Sequence, residues 1–183
     1  MRALAIATTF VVCCIFVHSD AVAQSTKCNN YNFANRKAHI VNLAPGLEIT
    51  KYTFCNTDGA RFQSQFVEDL AWKNTGSLPI VTYEVVTIKY DAFNRRLIGS
   101  KLTFGGISSA SWTPLEPGMS SADGLLDHGT SYVLTGIAYI NAVRYADGRV
   151  WTSDPAKLIE AVRRVLSDFK DVGELTPDTP QRK

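Results

Sequence analysis

The chain has 183 residues, a formal net charge of +2, 45% hydrophobic residues and 20% charged ones. So balanced a composition excludes a disordered polyelectrolyte and argues against nucleic acid as a partner, since that recognition needs a concentrated basic surface. The length suits one domain of ordinary size with a core of its own.

The first segment reads as a leader. Arg2 is followed by an apolar run from Ala3 to Val17, then by a more polar stretch ending in Ala21-Val22-Ala23 ahead of Gln24. This pattern predicts a secretory signal peptide over 1–23. Its apolar core is short for a membrane span, and no second long apolar run follows. The mature chain is therefore expected to be periplasmic or secreted, with no transmembrane segment and no lipid anchor. The absence of an Asn-x-Ser/Thr sequon fits a bacterial envelope protein.

Cleavage would leave Cys28 and Cys55 as the two remaining cysteines. In an oxidising compartment they are expected to form a disulfide, which the chain-entropy model values at about 3.5 kcal/mol. A metal or redox pair would need closer spacing or further ligands. No cofactor motif is present.

A polar segment, 24–36, leads into a predicted β-sandwich domain, 37–170. Strands are expected near His39 to Leu43, Ile49 to Cys55, Phe62 to Lys73, Ile80 to Asp91, Leu97 to Phe104, Met119 to Leu125, Ser131 to Tyr145 and Arg149 to Thr152. Pro45-Gly46, Asp58-Gly59, Gly105-Gly106, Pro117-Gly118 and Asp147-Gly148 separate them as turn signals. Asp147-Gly148 predicts a two-residue hairpin that pairs Val143-Arg144-Tyr145 with Arg149-Val150-Trp151. In the strand before it, Val133, Ile137, Tyr139 and Val143 alternate with Leu134, Ala138, Ile140 and Ala142, so both faces should be covered. The second set, with Gly136, is small and leaves room for something bulky. A helix over 155–170 is the expected occupant. Asp154 caps it, Pro155 opens it, and Leu158, Val162, Val165, Leu166 and Phe169 repeat at helical spacing. The polar tail, 171–183, is expected to be disordered.

Candidate chemistry is sparse. Asp123, Asp127 and His128 cluster near a predicted loop and could bind a ligand, hold a metal or orient an imidazole, although Asp, His and Gly also gather in loops for turn-forming reasons. No Gly-x-Ser-x-Gly elbow occurs. Glu68 shares its alternation face with Phe66, Leu70 and Trp72. It is either a buried carboxylate that needs a partner, and then a candidate site, or it reaches water through a bulge or an edge strand. Trp112 lies among serines in an apparent loop, where an exposed indole could contact a ligand or partner.

Between Leu70 and Trp151 the chain resembles FxLYD-type and related immunoglobulin-like sandwiches of exported bacterial proteins. The resemblance rests on Trp72-Lys73-Asn74-Thr75 before Leu78-Pro79-Ile80, on Tyr90-Asp91-Ala92-Phe93, on Leu115-Glu116-Pro117-Gly118 and on Val143 through Trp151. Thr87-Ile88-Lys89-Tyr90-Asp91 keeps the Tyr-Asp end of the naming motif. It implies an antiparallel sandwich of seven or eight strands serving as a non-catalytic accessory module, with no catalytic residues to transfer. The expected role is an exported binding or structural module for an envelope protein. The alternatives are a glycan or cell-wall binder using exposed aromatics, and a hydrolase or metal-dependent enzyme built on the Asp123, Asp127 and His128 loop.

Overall fold

The computed structural model describes residues 28–29, 36–58, 64–105, 113–128, 132–169 and 171–177. In chain order the elements are β1 (Cys28–Asn29), β2 (Lys37–Val41), β3 (Leu47–Asp58), β4 (Ser64–Asn74), β5 (Ile80–Tyr90), β6 (Arg96–Gly105), β7 (Ser120–His128), β8 (Thr135–Tyr145), β9 (Val150–Thr152) and α1 (Pro155–Val165). The described residues are mainly β, with two sheets and one C-terminal helix.

One sheet has the order β1-β3-β4-β7; the other has β2-β8-β5-β6, with β9 also on β8. All pairings are antiparallel except β2 with β8, which run parallel from Lys37↔Thr135 to Val41↔Tyr139. The second sheet is thus mixed, where an antiparallel one was expected. Nine strands form among the described residues, against the seven or eight predicted. The strand without a predicted counterpart is β1, a two-residue rung on β3.

Alternation sorts the core into two layers. Leu47, Ile49 and Tyr52 of β3 and Leu70 and Trp72 of β4 meet Tyr83 and Val85 of β5 and Ala138, Ile140 and Val143 of β8 between the sheets. On the outer face of the second sheet, Val41, Val86, Ile88, Tyr90, Ile137 and Tyr139 pack against Leu158, Val162 and Leu166 of the helix region.

The helix therefore covers the large alternation set of β8 rather than the small one. What fills the space over Gly136 is aromatic: a Cβ there would lie 2.5 Å from the Tyr52 hydroxyl oxygen and 2.7 Å from a Phe54 ring carbon. The alternation itself breaks at Asn141, which has no partner between Val85↔Ile140 and Glu84↔Ala142. This bulge turns Val143 to the inter-sheet side. It is held by the Asn141 amide, which donates to Glu84 (2.8 Å) and accepts from Ser153 Oγ (2.9 Å).

The β8–β9 pairing follows the predicted register, with Val143 opposite Trp151 and Arg144 opposite Val150. Its turn is a three-residue one, 146–148, closed by Tyr145 N–H to Arg149 O and Gly148 N–H to Tyr145 O, and only Gly148 has positive φ (86°). A turn followed by a left-handed glycine meets the strand twist without needing a second positive φ at Asp147.

Asp154 caps α1 by accepting from Ala156 N–H (2.9 Å) and Lys157 N–H (3.3 Å). The helix ends at Val165 instead of reaching 170, with Leu166 as C-cap, and Val165 faces solvent. Part of the supposed disordered tail is packed. Val172 and Leu175 are buried, and their carbonyls accept from the Tyr90 and Tyr139 hydroxyls respectively. Two apolar side chains and two tyrosine hydroxyls offset the cost of ordering 171–177. Residues 178–183 lie outside the described chain.

Candidate functional site

Glu68 sits on β4, an inner strand, opposite Phe54 of β3 on one side and Leu125 of β7 on the other, in unshifted register. There is no bulge or edge to bring it to water. Together with Phe66, Leu70 and Trp72 it is fully buried at 0% exposure. The outward alternative for Glu68 is overturned, because the side chain itself is fully buried on the face whose Leu70 and Trp72 belong to the inter-sheet core.

Its partner comes from the opposite sheet. Lys89 of β5 is also at 0% exposure, and its Nζ donates to Glu68 Oε2 at 2.8 Å. The same nitrogen donates to Ser100 Oγ of β6 at 2.8 Å and lies 5.3 Å from the Phe66 ring centre. Tyr52 of β3 completes the group, its hydroxyl donating to Glu68 Oε1 at 2.8 Å. Four strands thus converge on one carboxylate and one ammonium. A bulge in β6 helps to place Ser100, since the register changes from Thr87↔Ser100 to Lys89↔Leu97. Gly99 lets β6 approach closely there: a Cβ would stand 2.8 Å from the Thr87 carbonyl oxygen.

The electrostatic consequence is clearest at Tyr52. Burial first, then the Glu68 charge and the hydrogen bond to it, hold the phenol well above the ordinary tyrosine range. Thr87 stands beside the same phenol and pulls slightly the other way, though its hydroxyl closes no hydrogen bond of good geometry. Buried charges cost several kcal/mol each unless paired and hydrogen-bonded, and here both conditions hold. Lys89 escaped the sequence reading. The available signal was a second inward charge: Tyr83, Val85, Thr87 and Lys89 share the β5 alternation that opposes Glu68.

Of the other candidates whose side chains the structure describes, Asp123 does not join this group. Asp123 is exposed on β7, opposite Leu70, and its Oδ1 accepts from the Gly124 N–H at 2.7 Å. Asp127 and His128 are strand positions on the same β7, opposite Phe66 and Gln65, where a loop had been expected. Four residues of extended chain separate Asp123 from Asp127 by roughly 13 Å. Among the described residues no group of three His, Cys, Asp or Glu side chains could hold a metal ion. Trp112 lies outside the described residues.

A cleft of about 580 Å³ opens elsewhere, at one end of the second sheet, between Arg36, Lys37, His39, Asn94, Asp168 and Phe169. Burial and then the charge of Lys37 lower the His39 imidazole from its ordinary value. Phe93 and Tyr132 stand exposed, at 78% and 70%, in the chain just before Asn94 and just before β8.

No protein-family model matches the chain. No curated protein matches it either. Among solved structures, it is similar to a hypothetical protein of Peptoclostridium difficile 630 at 13% identity and a TM-score of 0.44, over 75% of this chain and 96% of that one. A Bordetella pertussis protein given the name ApaA is similar at 15% identity and a TM-score of 0.36, over 58% of this chain and 85% of that one. Likenesses this distant assign neither a family nor an activity to the chain. No helix among the described residues is long and apolar enough to cross a membrane.

Proposed function

We propose that the protein is an exported, non-catalytic binding module, an immunoglobulin-like sandwich of the FxLYD-related kind, which offers the free edge of β7 to a protein partner in the bacterial envelope. The observation that carries this reading is the nine-residue β7, hydrogen-bonded to β4 and to no other described strand. Such an edge is a template for strand addition. The opposite sheet's edge, β6, is less open. Arg96 donates to the Thr176 carbonyl there, and Pro177 lies beside Gly99. The signal peptide expected over 1–23 supports export, and with it a Cys28–Cys55 disulfide. In favour of that bridge, β1 sets Cys28 opposite Thr57, two residues along β3 from Cys55. The enclosed Glu68–Lys89 pair supports a non-catalytic reading, since neither charge reaches a cleft.

The test is crosslinking of the mature protein in the envelope of the exporting cell, beside variants that carry a charge on the edge, Ala122→Lys and Gly124→Lys. Wild-type protein is expected to capture one protein through β7, and both variants to lose it with their circular dichroism unchanged. Capture that survives both substitutions removes β7 as the docking edge.

A second reading, glycan binding, is favoured by Phe93 and Tyr132, two exposed rings whose chain neighbours Asn94 and Leu134 line one cleft. Flat aromatic faces with nearby Asn94, His39 and Asp168 suit a sugar. Phe93→Ala with Tyr132→Ala would abolish retention on cell-wall polysaccharide if this holds, and leave protein capture at β7 intact.

A further inference from the structure

We infer that Glu68 and Lys89 are the two ends of an intramolecular amide, formed between the sheets of the folded protein with loss of one water. The buried ion pair and the amide are alternative states of the same atoms, and the surroundings suit the second. Lys89 Nζ already touches the carboxylate at 2.8 Å, delivered by strands of two different sheets whose backbones are fixed by pairing on both sides. Holding two reactants at contact distance converts a bimolecular condensation into a unimolecular one, which is worth several orders of magnitude in rate.

Each polar neighbour has a place in the chemistry. A proton passes from Nζ to Oε2 along their hydrogen bond, which removes both buried charges. The neutral amine attacks Cδ, and the negative charge that develops on Oε1 is met by the Tyr52 hydroxyl already aimed at that atom. Ser100 Oγ, which accepts from Nζ, relays a second proton to Oε2. The C–Oε2 bond breaks and water leaves. Of the three Nζ protons, two depart in the water and one stays on the amide nitrogen, so nothing is oxidised or reduced and no other reactant is needed.

The product is better matched to its site than the ion pair. The amide N–H keeps Ser100 as acceptor and the amide carbonyl keeps Tyr52 as donor. The desolvation cost of two full charges disappears. Water released from a fully buried site into solvent does not return easily, which opposes hydrolysis. The bond would tie β4 to β5 and so one sheet to the other.

The experiment is the high-resolution intact mass of the mature, reduced full-length protein, followed by tryptic mapping. The inference expects a mass one water below that of the linear chain, no cleavage after Lys89, and a branched peptide joining the Glu68 and Lys89 segments. Lys89→Met and Glu68→Leu should each restore the full linear mass. Tyr52→Phe, which keeps the ring and removes the donor to Oε1, should leave a substantial unjoined fraction. A wild-type mass equal to the linear chain, with Glu68 and Lys89 in separate linear peptides, overturns the inference whatever the variants do. So does a lost water that maps to any other pair of residues. Ammonia lost by cyclisation of Gln24 differs in mass and maps to the N-terminus.

Discussion

Lys89→Met removes the ammonium, fills most of its volume, and leaves the Glu68 carboxylate in a dry core with Tyr52 as its one remaining described donor. Removing one partner of a fully buried pair costs about 3–5 kcal/mol, because the surviving charge has neither water nor a counter-ion. In a domain of this size each kcal/mol shifts the melting temperature by roughly 2–4 °C, so the variant should melt roughly 6–20 °C below the parent. The decisive comparison is with the triple variant Tyr52→Phe, Glu68→Leu, Lys89→Met, in which every polar member of the buried group except Ser100 is replaced by an apolar side chain. Replacing a buried ion pair by well-packed apolar groups is often neutral or better, so the triple variant should regain about 2 kcal/mol or more relative to Lys89→Met. Both variants lack the amine, so this difference is the same whether or not the parent pair is joined. Urea unfolding of the two proteins measures it. A triple variant no more stable than Lys89→Met would refute the reasoning that the stranded carboxylate, rather than lost packing, dominates the damage.

Other consequences are as specific. Gly136→Ala places a methyl where Tyr52 and Phe54 already stand, at 2.5 Å and 2.7 Å. Overpacking of this kind costs about 1–3 kcal/mol, and thermal unfolding should show it, with Gly136→Ala losing less when Tyr52→Phe removes the hydroxyl. Asp154→Ala removes the acceptor for two helix N–H groups and should cost about 1 kcal/mol, read as a small uniform shift of the urea midpoint. Burial raises the phenols of Tyr83 and Tyr90 to about 12 and also holds those of Tyr52 and Tyr139 well above the ordinary tyrosine range. Because these folded-state values lie above the unfolded one, the stability they contribute is complete below about pH 10 and lost as pH rises beyond it. Phenolate absorbance and circular dichroism followed together should therefore change in one cooperative alkaline step, and four tyrosines that titrate freely at pH 10 with the fold intact would contradict the burial.

Much of this protein follows from local pattern. Period-two alternation is a backbone property, so it correctly put Glu68 on the face of Phe66, Leu70 and Trp72, and both faces of β8 under cover. Asp154 and Pro155 announced the helix because capping is satisfied within one turn of chain. What tertiary structure decided depends on partners distant in sequence. Nothing near Glu68 names Lys89, which arrives from the other sheet, or Tyr52 and Ser100, which arrive from two further strands. The side of β8 that receives the helix was misjudged because the large rings of Tyr52 and Phe54 had already claimed the small residues. The bulge at Asn141 escaped notice because Glu84 and Ser153 hold it, and neither lies within ten residues of it. Burial of 171–177 depended on Tyr90 and Tyr139, whose hydroxyls reach carbonyls that no local propensity would order. Local sequence selects elements and faces because their geometry repeats along the chain, whereas the choice among faces, and the pairing of charges across sheets, is settled only when those elements compete for the same space.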